Sequence, residues 1–357
     1  MKLDASQLLE KTVSMRASDL HLTVGLAPYV RINTQLQPLE GYTPLTEEDI
    51  EYFLSQVVDT EQKTILEVNK ELDFSIGLGS KSRFRVNAFY QKGYPSVALR
   101  AISLTIPSLT DLNLPASLTH LCGMNQGLVL VVGPTGHGKS TTIASMLDYI
   151  NETRAEHILT IEDPIEYIFT NKKSFIEQRE MNLDTHSWES ALKSVLRQDP
   201  NIVFIGEMRD IETMSAALQI SETGHLVFAT LHTNSASQTV ERIISSFPET
   251  AQAQVRLQLA QVLEVIVSQR LLPSSSKGMV PAIELVLASD AVRNLIREGR
   301  THLLDNTIST SSDIGMVTLE RSLAVLVAKG WIDVNDGLRY SARPDELRRL
   351  LKSEKFK

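Results

Sequence analysis

The segment Gly133-Pro134-Thr135-Gly136-His137-Gly138-Lys139-Ser140 constrains this chain more than any other. It matches G-x-x-x-x-G-K-[ST] at every fixed position. The apolar run Gly127–Val132 precedes it, and a helical pattern from Lys139 to Ile150 follows it. A strand, a glycine-rich turn and a helix in that order make a cradle for phosphate. Glycines let backbone N–H groups turn inward, and the helix start adds a partial positive charge. Lys139 supplies an ammonium for the β- and γ-phosphates, and Ser140 supplies a hydroxyl for Mg²⁺. The expected ligand is a nucleoside triphosphate, contacted by Gly133, Pro134, Thr135, Gly136, His137, Gly138, Lys139, Ser140 and Thr141.

The surrounding pattern predicts an α/β fold. Strand-like runs at His157–Ile161, Asn201–Ile205 and His225–Thr230 alternate with helical stretches at Trp188–Arg197 and Ile211–Glu222. Strands that are apolar almost throughout imply a parallel sheet covered on both faces. Past Pro273 the chain reads as mostly helical. Residues 1–106 differ. Helical patterns at Ala5–Met15 and Glu47–Val58 accompany strands at Asp19–Val24, Tyr29–Ile32, Leu72–Ile76 and Arg83–Phe89 that alternate polar and apolar residues. Such alternation fits a smaller α+β domain whose sheet has one wet face. Two prolines without periodicity mark a linker at 107–115, which leaves 116–357 as the larger domain.

Hydrolysis of a triphosphate needs a group to hold the metal and a group to orient water. Two predicted strands end in acids. Ile202–Ile205 runs into Gly206-Glu207, which reads as a Walker B element with Glu for the usual Asp. The strand ending at Ile161 runs into Glu162-Asp163-Pro164-Ile165-Glu166. In open α/β sheets ligands bind beyond the carboxyl ends of strands, so both acids belong near the phosphate loop if strand order permits. His225 and His232 bracket the next strand. Seven residues apart, they fall on opposite pleat faces at opposite ends, which argues against a metal site built from the pair. Two readings stay open for them: contact with the γ-phosphate, or capping of loops.

Taken together, these segments resemble the secretion ATPase superfamily of type II secretion and type IV pili. The matching stretches are Ser18–Leu22 through Ile32, Gly133–Thr142, Thr160–Tyr167, Leu196–Asp210 and Thr223–Thr233. The resemblance implies a RecA-like domain preceded by a PAS-like one, assembled as a homohexamer that turns over ATP with Mg²⁺. It implies Glu166 as the catalytic base, Glu207 and Ser140 toward the metal, and His225 and His232, together with Lys139, as catalytic-site residues. It also implies arginines from the first domain at the nucleotide, for which Arg83, Arg85 and Arg100 are candidates. On residues alone these three read equally as surface arginines on a wet strand face.

Within the superfamily, extension and secretion ATPases often carry a four-cysteine zinc module. This chain has a single cysteine, Cys122. Ala291–Glu298 is similar to the AIRNLIRE motif of retraction ATPases, with Val292 for Ile. Its periodicity alone predicts an amphipathic helix with Val292, Leu295 and Ile296 inward and the charges outward. The expectation is a motor for pilus retraction and twitching motility, acting on an inner-membrane platform protein. An accessory ATPase of weak hydrolysis and an extension or secretion ATPase are the alternatives. His137, where the family usually holds a small residue, is the one irregular loop position. It supports the accessory reading by adding to the phosphate contacts or crowding them.

The bulk properties fit. Among 357 residues the net charge is −8, which runs against direct binding of nucleic acid. No apolar run approaches the ~20 residues that span a bilayer, and Met1–Met15 has no signal-peptide core. A cytoplasmic protein at the inner-membrane base of a pilus machine is the expected location.

Overall fold

The computed structural model describes residues 3–32, 35–79, 82–102 and 105–353. The chain divides into two compact units. The first runs to Thr105 and includes Glu166–Ile168; the second holds Ile106–Ile165 and everything from Phe169 onward.

In the first unit, α1 (Ala5–Ser14), β1 (Asp19–Thr23), β2 (Tyr29–Ile32) and β3 (Gln35–Pro38) come before α2 (Glu47–Val57) and α3 (Thr60–Asn69). Strands β4 (Glu71–Leu78), β5 (Ser82–Gln91) and β6 (Tyr94–Ile102) complete an antiparallel sheet of order β3-β2-β1-β6-β5-β4. Thr46 and Asp59 open α2 and α3 with capping boxes that satisfy first-turn N–H groups. Alternation along β5 buries Phe84, Val86 and Ala88 with Leu8, Ile50 and Phe53 of the helices. Arg83 and Arg85 share the opposite face.

The second unit opens with the short α4 (Ser117–Leu121), then β7 (Gly127–Val132), α5 (Lys139–Thr153), β8 (His157–Glu162) and β9 (Phe175–Glu180). Next come α6 (Trp188–Val195), β10 (Ile202–Ile205), α7 (Ile211–Glu222), β11 (Leu226–Leu231), α8 (Ala236–Ser245) and α9 (Glu249–Val262). A hairpin of β12 (Leu263–Ser274) and β13 (Gly278–Leu287) follows. Helices α10 (Asp290–Arg297), α11 (Leu304–Thr310), α12 (Leu319–Ala328), α13 (Val334–Tyr340) and α14 (Pro344–Lys352) close the unit. Its sheet has the order β13-β12-β7-β11-β10-β8-β9 and is parallel except for β13.

The expected two-sided burial is present. Leu128, Leu130 and Val132 of β7 pack into one core with α7 and α9, while Val129 and Val131 pack into another with α5. The stretch read as a linker contributes Leu109 and Leu114 to that second core, and the Ser145 hydroxyl donates to the Pro107 carbonyl. The C-terminal part is less helical than expected. The apolar strand β13 carries Glu284 in its middle, which disguised its period, and it pairs with β12 over ten residues. Its far half packs with α12 and α14 in a separate cluster that includes Leu272, Val280, Leu323 and Leu347.

The expected helix at Ala291–Glu298 forms as α10, with Val292 and Ile296 buried. Arg293 departs from the expectation that its charges face outward. Its guanidinium donates to the Ala260 and Gln261 carbonyls, each at 2.8 Å, and pairs with Glu264 at 2.8 Å. Arg293 therefore caps the carbonyl end of α9, where a cation is favoured. Phe228 lies fully buried at the centre of the sheet. Phe228→Ala is expected to lower stability by about 3–5 kcal/mol, read as a fall in the denaturant midpoint.

Candidate active site

Strand order decides what meets the phosphate loop. The loop leaves β7, whose neighbours are β11 and β12, and β10 and β8 lie beyond β11. All five strands are parallel, so the segments after β7, β11, β10 and β8 emerge at one edge. That edge gathers Lys139, His232, Glu207 and Asp163.

Gly138 is the N-cap of α5, and no side chain caps the helix's first turn. Gly138 is left-handed, with φ 78°. At Gly133 the backbone runs so close to β12 that a Cβ would lie 2.3 Å from the Gln269 carbonyl oxygen. The Lys139 ammonium, largely buried, donates to the Gly133 carbonyl at 2.9 Å and the Pro134 carbonyl at 3.1 Å. It also meets His232 Nδ1 at 3.1 Å. An ammonium only donates, so Nδ1 accepts and the ring proton sits on Nε2. Nε2 in turn donates to Glu207 Oε1 at 2.9 Å, and Arg209 holds Oε2 at 2.8 Å. Thr135 Oγ1 lies 3.4 Å from the same Nδ1.

Burial pushes the Glu207 carboxyl up, but the Arg209 hydrogen bond and the nearby His232 outweigh it. The net effect holds Glu207 below its ordinary value of 4.5. Glu207 therefore stays ionised, as a metal-facing carboxylate needs to be. Its position is set by backbone bonds to both neighbouring strands. The Gly206 N–H donates to Ile161, and the Met208 N–H donates to Thr230. The loop after β11 is anchored on the hairpin, where Ser268 Oγ donates to the Asn234 carbonyl and Glu284 accepts the Ala236 N–H at 2.8 Å.

His225 lies at the far end of its strand, and Glu166, Arg83, Arg85 and Arg100 belong to the first unit. His225 stands before β11, at the opposite end from His232, about 20 Å away at strand rise. Its ring contacts Thr223 and the Ile220 carbonyl, so it closes the turn after α7 and does not join this chain's phosphate loop. Glu166 is exposed, beyond β8, in the three residues that group with the first unit. Arg83 donates to Ser75, and Arg100 pairs with Asp19 at 2.9 Å. Arg85 is exposed and lies opposite Arg100 in the sheet register.

The His137 ring is turned to β12, and its Nδ1 accepts the Leu271 N–H at 3.0 Å. That nitrogen is thus engaged by the β12 backbone. Burial, then Arg270 and Lys139, hold its pKa below the ordinary 6.5, which keeps the accepting nitrogen unprotonated. Sequence reasoning missed Arg209 and Gln269. Arg209 sat two residues past Glu207, a signal that was available; Gln269 lies far along the chain, in a strand whose place beside the loop no local pattern gives.

Comparison with known proteins agrees with this geometry. Residues 3–327 match the model of the type II/IV secretion system protein family. The chain belongs to that family. It is 41% identical to the type IV pilus retraction ATPase PilT of Pseudomonas aeruginosa, over 92% of this chain and 96% of that one. It is 40% identical to the type IV pilus ATPase PilU of the same organism, over 98% and 92%. Among solved structures, the pilus retraction motor PilT with bound ADP superposes with a TM-score of 0.91 at 44% identity, covering 98% and 99% of the two chains. The family's parallel-sheet fold is thus the fold of this chain.

Two outcomes test the site's construction. Gly133→Ala is expected to abolish nucleotide binding and lower the melting temperature, because its Cβ meets the β12 backbone. Glu284, buried beside Asp305 and Glu320, is pushed up to about 7 by burial, with the Ala236 hydrogen bond opposing. A carboxyl raised above its unfolded value of 4.5 stabilises the fold fully below that pH and loses this as pH rises through about 7. Glu284→Gln is therefore expected to raise the melting temperature at pH 8 and to have a smaller effect at pH 5.

Proposed function

We propose that this chain is an ATP-hydrolysing motor that drives type IV pilus retraction and twitching motility. The observation that carries the reading is the hydrogen-bonded row Lys139–His232–Glu207 at the mouth of a complete phosphate loop, in a chain of the secretion ATPase family. The donor set fits ATP with Mg²⁺. Among the described residues no group of three or more His, Cys, Asp or Glu side chains could hold a metal by itself. One hydroxyl, Ser140, and one ionised carboxylate, Glu207, suit a cation held chiefly by nucleotide phosphates. When bound, Mg²⁺ neutralises charge on those phosphates.

The protein's own groups do the rest. Phosphate oxygens entering the loop compete with the Gly133 and Pro134 carbonyls for the Lys139 ammonium, and N–H groups from Gly136 to Thr141 close around them. His232, held between Lys139 and Glu207, faces the γ-phosphate. Glu166 orients the attacking water and takes its proton. Arg83, Arg85 and Arg100 are the candidate arginines supplied to phosphate, a role worth about 10³–10⁵ in rate where it operates. His225 is left outside the catalytic set on geometry. Assembly as a homohexamer, and action on an inner-membrane platform protein from the cytoplasmic side, complete the reading. No described helix is long and apolar enough to cross a membrane.

Purified chain should hydrolyse ATP. Glu166→Gln and Glu207→Gln should each cut turnover by about 100-fold or more while ADP still binds. Full turnover in both would sink the assignment of these acids. Cells lacking the gene should carry excess pili without twitching. Bald cells would mean extension, and normal pili with weakened retraction would mean an accessory subunit.

A further inference from the structure

Strand β12 touches the phosphate loop at three points, and none of them belongs to the established chemistry of the motif. The first is the approach of the Gln269 carbonyl to Gly133. The second runs through the Gln269 side chain, which is buried at 3% exposure. Its Oε1 accepts the Thr142 hydroxyl at 2.8 Å, and its Nε2 donates to the His137 carbonyl at 2.8 Å. The amide orientation is forced, because a carbonyl only accepts and inversion would set two oxygens against each other. The third point is the Leu271 N–H on His137 Nδ1.

Strand pairing explains the third contact. β7 ends at Val132, opposite Ser268. Past that point β12 keeps β13 on one side and has lost its parallel partner on the other. Leu271 is therefore an edge residue whose N–H needs an acceptor. The imidazole at position 137 supplies one. This gives His137 a structural reason to stand where a small residue would otherwise serve.

The second contact reaches the phosphate. The His137–Gly138 peptide is trans, so its C=O and N–H point in opposite directions. With the carbonyl held toward β12 by Gln269, the Gly138 N–H is aimed away from β12, into the loop. Gly138 sits hard against the same amide, its would-be Cβ 3.0 Å from Gln269 Nε2.

We propose that β12 sets the geometry of the phosphate loop: Gln269 is a positioning residue that aims the Gly138 N–H at bound phosphate, and His137 latches the loop to the strand. The proposal rests on the nucleotide reading of the loop. It predicts that the hairpin, through Gln269, tunes affinity for nucleoside di- and triphosphates without touching the reacting atoms.

The test is calorimetric titration of ADP with Mg²⁺ into the full chain, with steady-state ATPase and melting temperature measured alongside. Gln269→Glu sets a carboxylate oxygen against the His137 carbonyl. It should weaken ADP binding by about tenfold or more and raise KM for ATP in step, with kcat at saturation changed far less. His137→Leu removes the acceptor for Leu271 and should weaken binding by a similar factor. His137→Asn places an amide oxygen near the Nδ1 position and should restore binding to within about threefold of wild type. Should Gln269→Glu fail to fold, Gln269→Met carries the same test, since it removes the donor to the His137 carbonyl while keeping a side chain of similar length. ADP affinity equal to wild type in folded Gln269→Glu and His137→Leu overturns the proposal, as does His137→Asn binding no better than His137→Leu. If wild-type chain itself binds no ADP, the nucleotide reading fails and this proposal with it.

Discussion

The close approach of the phosphate loop to β12 is the constraint on which the site depends. A backbone carbonyl of Gln269 occupies the space a side chain would need at Gly133, so the loop leaves β7 along one path. That path brings the Lys139 ammonium back over the Gly133 and Pro134 carbonyls and within reach of His232. Because β11 lies next to β7 and β10 next to β11, the row from Lys139 through His232 to Glu207 spans adjacent strand ends. No long side chain has to reach across a gap.

The row is also an electrostatic balance. A buried ammonium and a half-buried carboxylate each require compensation, and His232 serves both by accepting on one nitrogen and donating from the other. Arg209 adds a second partner on Glu207 from the solvent side. Phosphate brought into the loop adds negative charge beside the Lys139 ammonium, which gains a charge-assisted hydrogen bond there. The β12–β13 hairpin supports both halves. Gln269 and Leu271 hold the loop, while Ser268 and Glu284 hold the segment after β11. The far half of the same hairpin packs into the C-terminal helices, so those helices and the site share one rigid element.

Much of the architecture was legible locally. Continuous apolar runs such as Gly127–Val132 announced strands buried on both faces, and their alternation with helical patterns announced a parallel sheet. Alternation in Arg83–Phe89 announced a sheet with a wet face. β13 was not legible, because Glu284 interrupts its apolar pattern and accepts a backbone N–H of α8 that no local window shows. Of the charges expected outward around Val292, Arg297 and Glu298 are exposed and Arg293 is not. Arg293 turns back because the carbonyl end of α9 happens to lie beside it.

By itself the sequence determined the phosphate loop, the acids at the ends of two strands, and the order of boxes that marks the family. These are contiguous patterns in which spacing carries the chemistry. Tertiary structure alone decided that His232 and not His225 meets Lys139, since the two lie at opposite ends of one strand and strand direction selects between them. It decided, too, that His137 Nδ1 meets a strand more than a hundred residues away. A motif fixes which groups are available along the chain; which of them face one another depends on sheet order, and sheet order is settled by packing between segments that no local window contains.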